Sequence, residues 1–130
     1  MSLVQKISDL ATAVGAEVKS RITAYHPGVA KAWVCFGYVG DEMVIRAAYN
    51  VQSVTRMAAG QYRVTFTRPM PDAKYSWLAF ARQAGNQSTL QFAAARPSAE
   101  AKRPDYVEVI CVTHNGTLSD TPEMNLTVMR

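Results

Sequence analysis

The stretch that decides the fold runs from Lys31 to Tyr75 and reads KAWVCFGYVGDEMVIRAAYNVQSVTRMAAGQYRVTFTRPMPDAKY. Apolar and polar residues alternate through most of this stretch, and turn-forming residues interrupt the alternation. Successive side chains of a strand point to opposite faces, so the pattern predicts short antiparallel strands that each bury one face. The clearest example is residues 62–67, in which Tyr62, Val64 and Phe66 are expected to be buried.

The same pattern continues to the end of the chain and predicts eight short strands. They are residues 30–36, 43–49, 51–57, 62–67, 75–82, 89–95, 106–113 and 124–129. Short strands separated by turns at regular spacing are typical of a sandwich rather than an α/β fold. We therefore expect a mainly β chain that forms an antiparallel, jelly-roll-like β-sandwich behind one N-terminal helix. Its expected core residues are Val34, Phe36, Ile45, Tyr62, Val64, Phe66, Trp77, Phe92 and Val109.

The helix is predicted from its start and stop signals. Ser2 suits the N-cap position, and Gln5 three residues later completes the outline of a capping box. The sequence YHPG at residues 25–28 ends the helix, because proline removes a backbone donor and disfavours helix at the residue before it. We expect residues 1–26 to form a helical arm for oligomerisation or docking, and residues 27–130 to form the sandwich.

Apolar residues recur along the arm at spacings of four and three, which places them on one side of a helix. They are Leu3, Ile7, Leu10, Val14, Val18 and Ile22. Two interpretations stay open. The stripe either packs on the chain's own sandwich or packs against copies of itself as a short coiled coil. The first four members of this stripe, Leu3 to Val14, have the spacing of a coiled-coil seam. The later spacings of four form a stutter, which locally unwinds a coiled coil.

Composition limits the possible partners. The 130 residues fit one domain, and 48% hydrophobic residues can supply a core. The net charge is +4, but Lys and Arg are scattered singly, so we expect no nucleic-acid partner. No apolar run approaches the roughly 20 residues that span a bilayer, and no signal peptide is recognisable, so we expect no membrane insertion. Cys35 and Cys111 are expected to be small buried hydrophobes, and a disulfide between them stays open.

The residues predict no catalytic, cofactor or metal site. The carboxylates of Asp41 and Glu42 fall in a predicted turn, where a solvated loop is the expected role. His26 and His114 are not spaced from a cysteine as zinc ligands are. Five aromatic side chains could stack on sugars, but they lie within strands, so we expect them to pack in the core. These five are Trp33, Trp77, Phe80, Phe92 and Tyr106.

Four segments together carry a family resemblance: KAWVCF, IRAAYNVQSV, QYRVTF and MPDAKY, in that order. They resemble the β domain common at the ends of bacteriophage tail-fibre and other virion appendage proteins, and the match covers about half of the chain. Cys35 stands where that family usually has Asn, and residues 57–60 replace its Asn-Gly-rich hairpin tip. The resemblance implies a virion structural protein, usually trimeric and without catalytic activity.

The resemblance and the helical arm together predict a tail-fibre or tail-appendage component that contributes to host attachment. It would be assembled in the host cytoplasm as a homotrimer, and would contact other virion proteins and a host surface glycan or protein. The loops at residues 84–87, 96–103 and 117–123 are expected to face the host. One alternative is a capsid decoration or head-fibre protein, and a second is a lectin-like carbohydrate-binding module.

Overall fold

A computed structural model of the chain describes residues 2–21, 23, 25–83 and 89–130. The described residues form a helix, eight strands and one short 3-10 helix at Ala99–Ala101. The helix is α1 (Leu3–Arg21), and the strands are β1 (Ala30–Val39), β2 (Glu42–Tyr49), β3 (Val51–Ala58), β4 (Gln61–Phe66), β5 (Ser76–Arg82), β6 (Gln91–Ala95), β7 (Tyr106–Thr113) and β8 (Glu123–Met129). Each of the eight predicted strands corresponds to one of these.

The strands form two four-stranded antiparallel sheets that pack face to face. The first sheet has the order β2-β1-β8-β5, and the second sheet has the order β3-β4-β7-β6. Three connections are hairpins within one sheet, and four cross between the sheets. The expected fold class, a mainly β antiparallel sandwich preceded by one helix, is confirmed.

The strand register gives the sandwich two distinct ends. At the arm end, β1 begins next to the arm and β8 finishes, since Ala30 pairs with Met129. At the far end, the turn after Val39 and the hairpin between Ala58 and Gln61 lie together with residues 114–122. The loop at residues 96–103 connects β6 and β7 at the arm end, so it lies at the opposite end of the sandwich from residues 117–122. Residues 84–87, the third loop that was expected to face the host, lie outside the described residues.

The core consists of the inward side chains of both sheets. Phe36 and Tyr62 meet edge to face with ring centroids 5.3 Å apart, and Phe66 and Tyr75 do so at 5.8 Å. Full burial of one large apolar side chain stabilises the folded state by about 1.5–3 kcal/mol. Six of the expected core residues are buried: Val34, Phe36, Tyr62, Val64, Phe66 and Val109.

The other three expected core residues are not fully buried. Ile45 is 44% exposed because β2 is an edge strand and a register shift between Cys35 and Phe36 disturbs its pairing. Phe92 is 49% exposed because on β6 its neighbour Ala93 packs against the core instead. Trp77 is half-buried at the margin of the core.

The first predicted turn begins later than expected, because β1 continues through Gly37 to Val39. A Cβ atom at Gly37 would lie 1.9 Å from the carbonyl oxygen of Pro122. Only glycine therefore allows the segment before β8 to cross so closely over β1.

The two cysteines are free. Cys111 is buried in the second sheet, and Cys35 is half-buried in the first sheet. Burial raises the pKa of the Cys111 thiol to about 11, so this thiol is protonated at neutral pH.

The predicted helix is present, and its N-cap is as expected. The backbone N–H of Gln5 donates to Ser2 Oγ at 3.1 Å. At the other end, the positive charges of Lys19 and Arg21 in the last turn interact favourably with the negative end of the helix dipole. None of residues 3–21 is buried. The stripe therefore does not pack on the chain's own sandwich.

Candidate functional site

The first candidate surface is the apolar stripe of α1, defined by its described members Leu3, Ile7, Leu10, Val14 and Val18. Each of these side chains is between 50% and 73% exposed. The sixth expected member, Ile22, lies outside the described residues. A helix of 19 residues is about 28 Å long, and helices in proteins gain most of their stability from packing of an apolar face, which the single chain does not supply here.

A second surface is the outer face of the first sheet. Tyr49 pairs with Trp33, and both Trp33 and Leu78 pair with Thr127, so these four residues form one cross-strand row. The adjacent row contains Ala47, Cys35, Asn125 and Phe80. We name the large apolar members of the two rows the aromatic face; they are Trp33, Tyr49, Leu78 and Phe80.

The five strand aromatics that were considered for sugar stacking were expected to pack in the core, and this expectation is wrong for most of them. Phe80 is 71% exposed, and Trp33 and Phe92 are also exposed. Tyr106 is half-buried, and the guanidinium of Arg63 lies over its ring at 4.1 Å. Among the five, Trp77 alone packs against the core. Strands such as YSWLAFAR carry apolar residues on both faces, and that pattern indicates an outer apolar face as well as an inner one.

A third surface is an open cleft of about 450 Å³ at the arm end of the sandwich, here called the arm-end cleft. Cationic side chains, tyrosine rings and apolar side chains all line this cleft. Its lining residues are Tyr25, Ala30, Lys31, Tyr49, Asn50, Arg68, Pro69, Met70, Pro71 and Arg130. None of these residues was expected at a site, because they come from strand ends and connections that are far apart in the sequence.

Asn50 holds the two walls of the cleft together. It lies between β2 and β3 with a φ of 54°, a left-handed conformation that Asn tolerates better than most residues. Its Nδ2 donates to the carbonyl oxygens of Lys31 and Arg68 at 2.9 and 3.1 Å. Its Oδ1 accepts the backbone N–H of Arg68 at 2.7 Å. These three bonds fix the backbone positions of both cationic residues.

The three cations of the cleft differ in their partners. The Lys31 ammonium donates to the carbonyl oxygens of His26 and Val29, and Arg68 Nη2 donates to the hydroxyl of Tyr49 at 3.2 Å. Arg130 forms an ion pair with Asp72 at 2.9 Å. The hydrogen bond from Arg130, together with the backbone N–H of Lys74, lowers the pKa of Asp72 to about 2.

At the far end, the Asp120 carboxylate collects four donors in what we name the Asp120 cluster. Its Oδ1 accepts from the Gly60 N–H at 3.0 Å and from the Tyr62 hydroxyl at 2.8 Å, and Arg56 binds both carboxylate oxygens. The Tyr62 hydroxyl in turn accepts the N–H of Thr121 at 3.1 Å. The hydrogen bond from Arg56 lowers the pKa of Asp120, and burial raises the pKa of Tyr62. The donors and acceptors of this cluster are paired with one another by hydrogen bonds, which indicates a structural role.

The outer face of the second sheet contains a further ion-pair cluster. Glu108 is buried between Arg63 and Arg96, and Arg63 Nη2 donates to its carboxylate at 2.8 Å. Burial alone would raise the pKa of Glu108, but the hydrogen bonds from Arg96 and Arg63 lower it. The Arg63 side chain is therefore held against the outer face of the sheet by this ion pair.

No three His, Cys, Asp or Glu residues in the described part of the chain lie close enough together to hold a metal ion. The described helices are also too short or too polar to cross a bilayer. The described surface thus offers three features for recognition: the apolar stripe, the aromatic face and the arm-end cleft. Comparison of the chain with protein-family models, with curated proteins and with solved structures finds no match.

Proposed function

We propose that this chain is a structural component of a bacteriophage virion. It would be a tail-fibre or tail-appendage subunit that self-associates through α1 and contributes to host attachment. The observation that carries the proposal is the uncovered apolar stripe on a helix that projects from a folded sandwich. The resemblance of residues 31–75 to the phage appendage β domain supports the proposal that this assembly is part of a phage particle.

The stripe supports assembly because water is an unfavourable environment for five aliphatic side chains on one helix face. Each of them gains about 1.5–3 kcal/mol when it is fully buried. Copies of the same helix offer the same stripe, and the spacing of Leu3, Ile7, Leu10 and Val14 matches a coiled-coil seam. The occupant we propose for the stripe is therefore a second copy of α1.

Two observations bear on the number of chains in the assembly, and they favour different numbers. In the seam, Ile7 and Val14 take the a positions and Leu3 and Leu10 take the d positions, a combination that by itself favours two strands. The family resemblance implies three strands. We propose the trimer, and the mass of the purified protein in solution, measured by light scattering, separates the two.

The position of the arm supports a host-facing role for the far end. A subunit held by α1 presents the opposite end of the sandwich outward, and the loop at residues 117–122 lies there. The Asp120 cluster fixes this loop through Tyr62 and Arg56. A rigid loop loses little conformational freedom when it binds, which favours a role in attachment.

The location of the protein in the particle tests the proposal. Labelled antibody and electron microscopy of intact particles should place the protein on the tail, in a handful of copies. Hundreds of copies on the head would contradict the tail assignment and support the capsid decoration alternative. Absence of the protein from the particle would contradict both.

The aromatic face favours the lectin-like alternative. Trp33, Tyr49 and Phe80 expose rings on one face of the first sheet, where sugar rings could stack. A glycan array tests this alternative, and an array without hits would contradict it. We propose no catalytic activity, and glycan hydrolysis that persists in a pure sample would contradict that part of the proposal.

A further inference from the structure

We infer that the arm-end cleft binds an acidic saccharide, with its acid group on Lys31 and Arg68 and a sugar ring against Tyr49. This inference goes beyond the proposed virion role, because it assigns a ligand to a site at the opposite end from the host-facing loop. It rests on the charge, the shape and the rigidity of the cleft.

The charge of the cleft favours an anion. Lys31, Arg68 and Arg130 line it, and Asp72 compensates only Arg130. Among the described residues, no carboxylate forms an ion pair with Lys31 or Arg68. An ammonium has three donors and a guanidinium has five, so both side chains keep N–H groups free after the contacts described above. Charge-assisted hydrogen bonds to a carboxylate or phosphate would use these donors.

The shape of the cleft favours a ligand with a ring rather than a bare anion. Its volume of about 450 Å³ lies within the range of roughly 300–1,000 Å³ that small-molecule sites occupy. Met70, Pro69 and Pro71 supply apolar surface, and Tyr25 and Tyr49 supply rings with polar tips. A sugar acid presents an apolar ring face and a charged group together, whereas inorganic phosphate offers only the charge.

The rigidity of the cleft indicates a prepared site. Asn50 fixes the backbone of Lys31 and Arg68, and the prolines at positions 69 and 71 restrict the adjacent segment. The ion pair with Asp72 holds Arg130 at the rim. A site held in place before binding loses less entropy when its ligand arrives. A concave, prepared site of this size suits one or two sugar rings better than a flat acidic protein surface.

Calorimetry on the purified full chain tests the inference with four probes. They are tetragalacturonic acid, a neutral tetrasaccharide of the same length, inorganic phosphate and a short polyglutamate peptide. We expect saturable binding of tetragalacturonic acid, and binding of the neutral sugar and of phosphate weaker by at least about tenfold. Equal binding of the neutral sugar or of phosphate would overturn the inference, as would no binding of the acidic sugar. Binding of polyglutamate alone would indicate a protein partner and would also overturn it.

Two arginine variants locate the site. Arg68→Gln removes a cleft cation and should weaken binding of tetragalacturonic acid by at least about tenfold. Arg82→Gln removes the same charge at the far end, where the side chain is exposed, and should leave binding unchanged. Equal affinities for the two variants would overturn the assignment. The measurement uses isolated protein, so its failure is distinct from failure to find the protein in a virion.

Discussion

The hydroxyl of Tyr62 donates to the carboxylate of Asp120 at 2.8 Å, and this bond links a buried core side chain to the far-end loop. Tyr62 is fully buried, and its hydroxyl also accepts the N–H of Thr121 at 3.1 Å. The Tyr62 hydroxyl oxygen therefore bonds two groups, the partly buried Asp120 carboxylate and the buried Thr121 N–H. A buried N–H such as that of Thr121 is costly to leave unpaired.

Replacement of this phenol by a phenyl ring should destabilise the fold. Tyr62→Phe keeps the ring packing against Phe36 but leaves the Thr121 N–H without its acceptor, at a cost of about 1–3 kcal/mol. Denaturant unfolding measures the change, and Tyr25→Phe, at an almost fully exposed position, is the matched control. Equal unfolding free energies for the two variants would show that the bond contributes nothing.

Stability should fall in acid, and Asp120 should account for part of the loss. Arg56 holds the pKa of this carboxyl below its usual value of 3.8, so the folded state favours its charged form. The stabilisation is complete above that value and is lost as the pH falls through the lower pKa of the folded state. The wild type should therefore lose unfolding free energy between about pH 5 and pH 2.

Asp120→Asn removes the titrating group and separates its contribution from those of Asp72 and Glu108, whose pKa values are also lowered. The variant should be less stable than the wild type at pH 6, and the gap should narrow at pH 3. Urea unfolding at both pH values provides the comparison. A gap that stays constant with pH would mean that the ion pair with Arg56 does not stabilise the fold.

The strands were predictable because each carries a clear local pattern, but local patterns do not identify the buried face. Residues 89–95 alternate two mixed sets, and the set that contains Phe92 was expected inside. The structure instead turns Ala93 toward the core, because β6 is an edge strand whose outer side chains reach solvent. At Ile45, an irregular pairing that the sequence does not signal changes the burial.

The arm-end cleft was not predictable for a different reason. Lys31, Arg68 and Arg130 are scattered along the chain, and they meet only because β1, β4 and β8 share one end of the sandwich. The pairing of Ala30 with Met129 and of Val51 with Phe66 creates that proximity. Single cations at strand ends carry no spacing signal, so the strand topology must be known first. The apolar stripe, by contrast, depends on one local periodicity and was visible in the sequence.

The hairpin between β3 and β4 should tolerate no side chain at its glycine. Gly60 has a φ of 68°, and a Cβ atom there would lie 2.7 Å from the Ser119 nitrogen and 2.8 Å from the Cys111 oxygen. Gly60→Ala should therefore cost about 1–3 kcal/mol of unfolding free energy, through both backbone strain and crowding. Thermal or denaturant unfolding measures the loss.

Gly15→Ala is the matched control for this prediction. Gly15 lies within α1, and a Cβ atom there would meet no atom within 4 Å apart from its chain neighbours and the nearby backbone of its own helix. The change should leave the sandwich unaffected and raise helix stability by up to about 1 kcal/mol, because alanine is the better helix former. If Gly60→Ala were as stable as Gly15→Ala, the close contact with Ser119 would not exist in solution.

The apolar stripe should control assembly without affecting the fold of the sandwich. Leu10→Asp places a charge in the middle of the proposed seam, where burial of an unpaired carboxylate costs several kcal/mol. The sandwich does not depend on Leu10, which is exposed in the single chain. Association should weaken by at least about a hundredfold, while the unfolding transition of the monomer stays in place. Sedimentation velocity measures the mass, and near-UV circular dichroism reports the packing of the core.

Thr12→Asp separates this effect from a general loss of helix. Thr12 lies about half a turn away from the stripe, so the variant has the same added charge on the opposite face. Its assembly should match that of the wild type, because the seam is unchanged. A Leu10→Asp protein with the mass of the wild type would show that the contact between copies lies elsewhere, and the aromatic face around Trp33 and Phe80 would be the next surface to test.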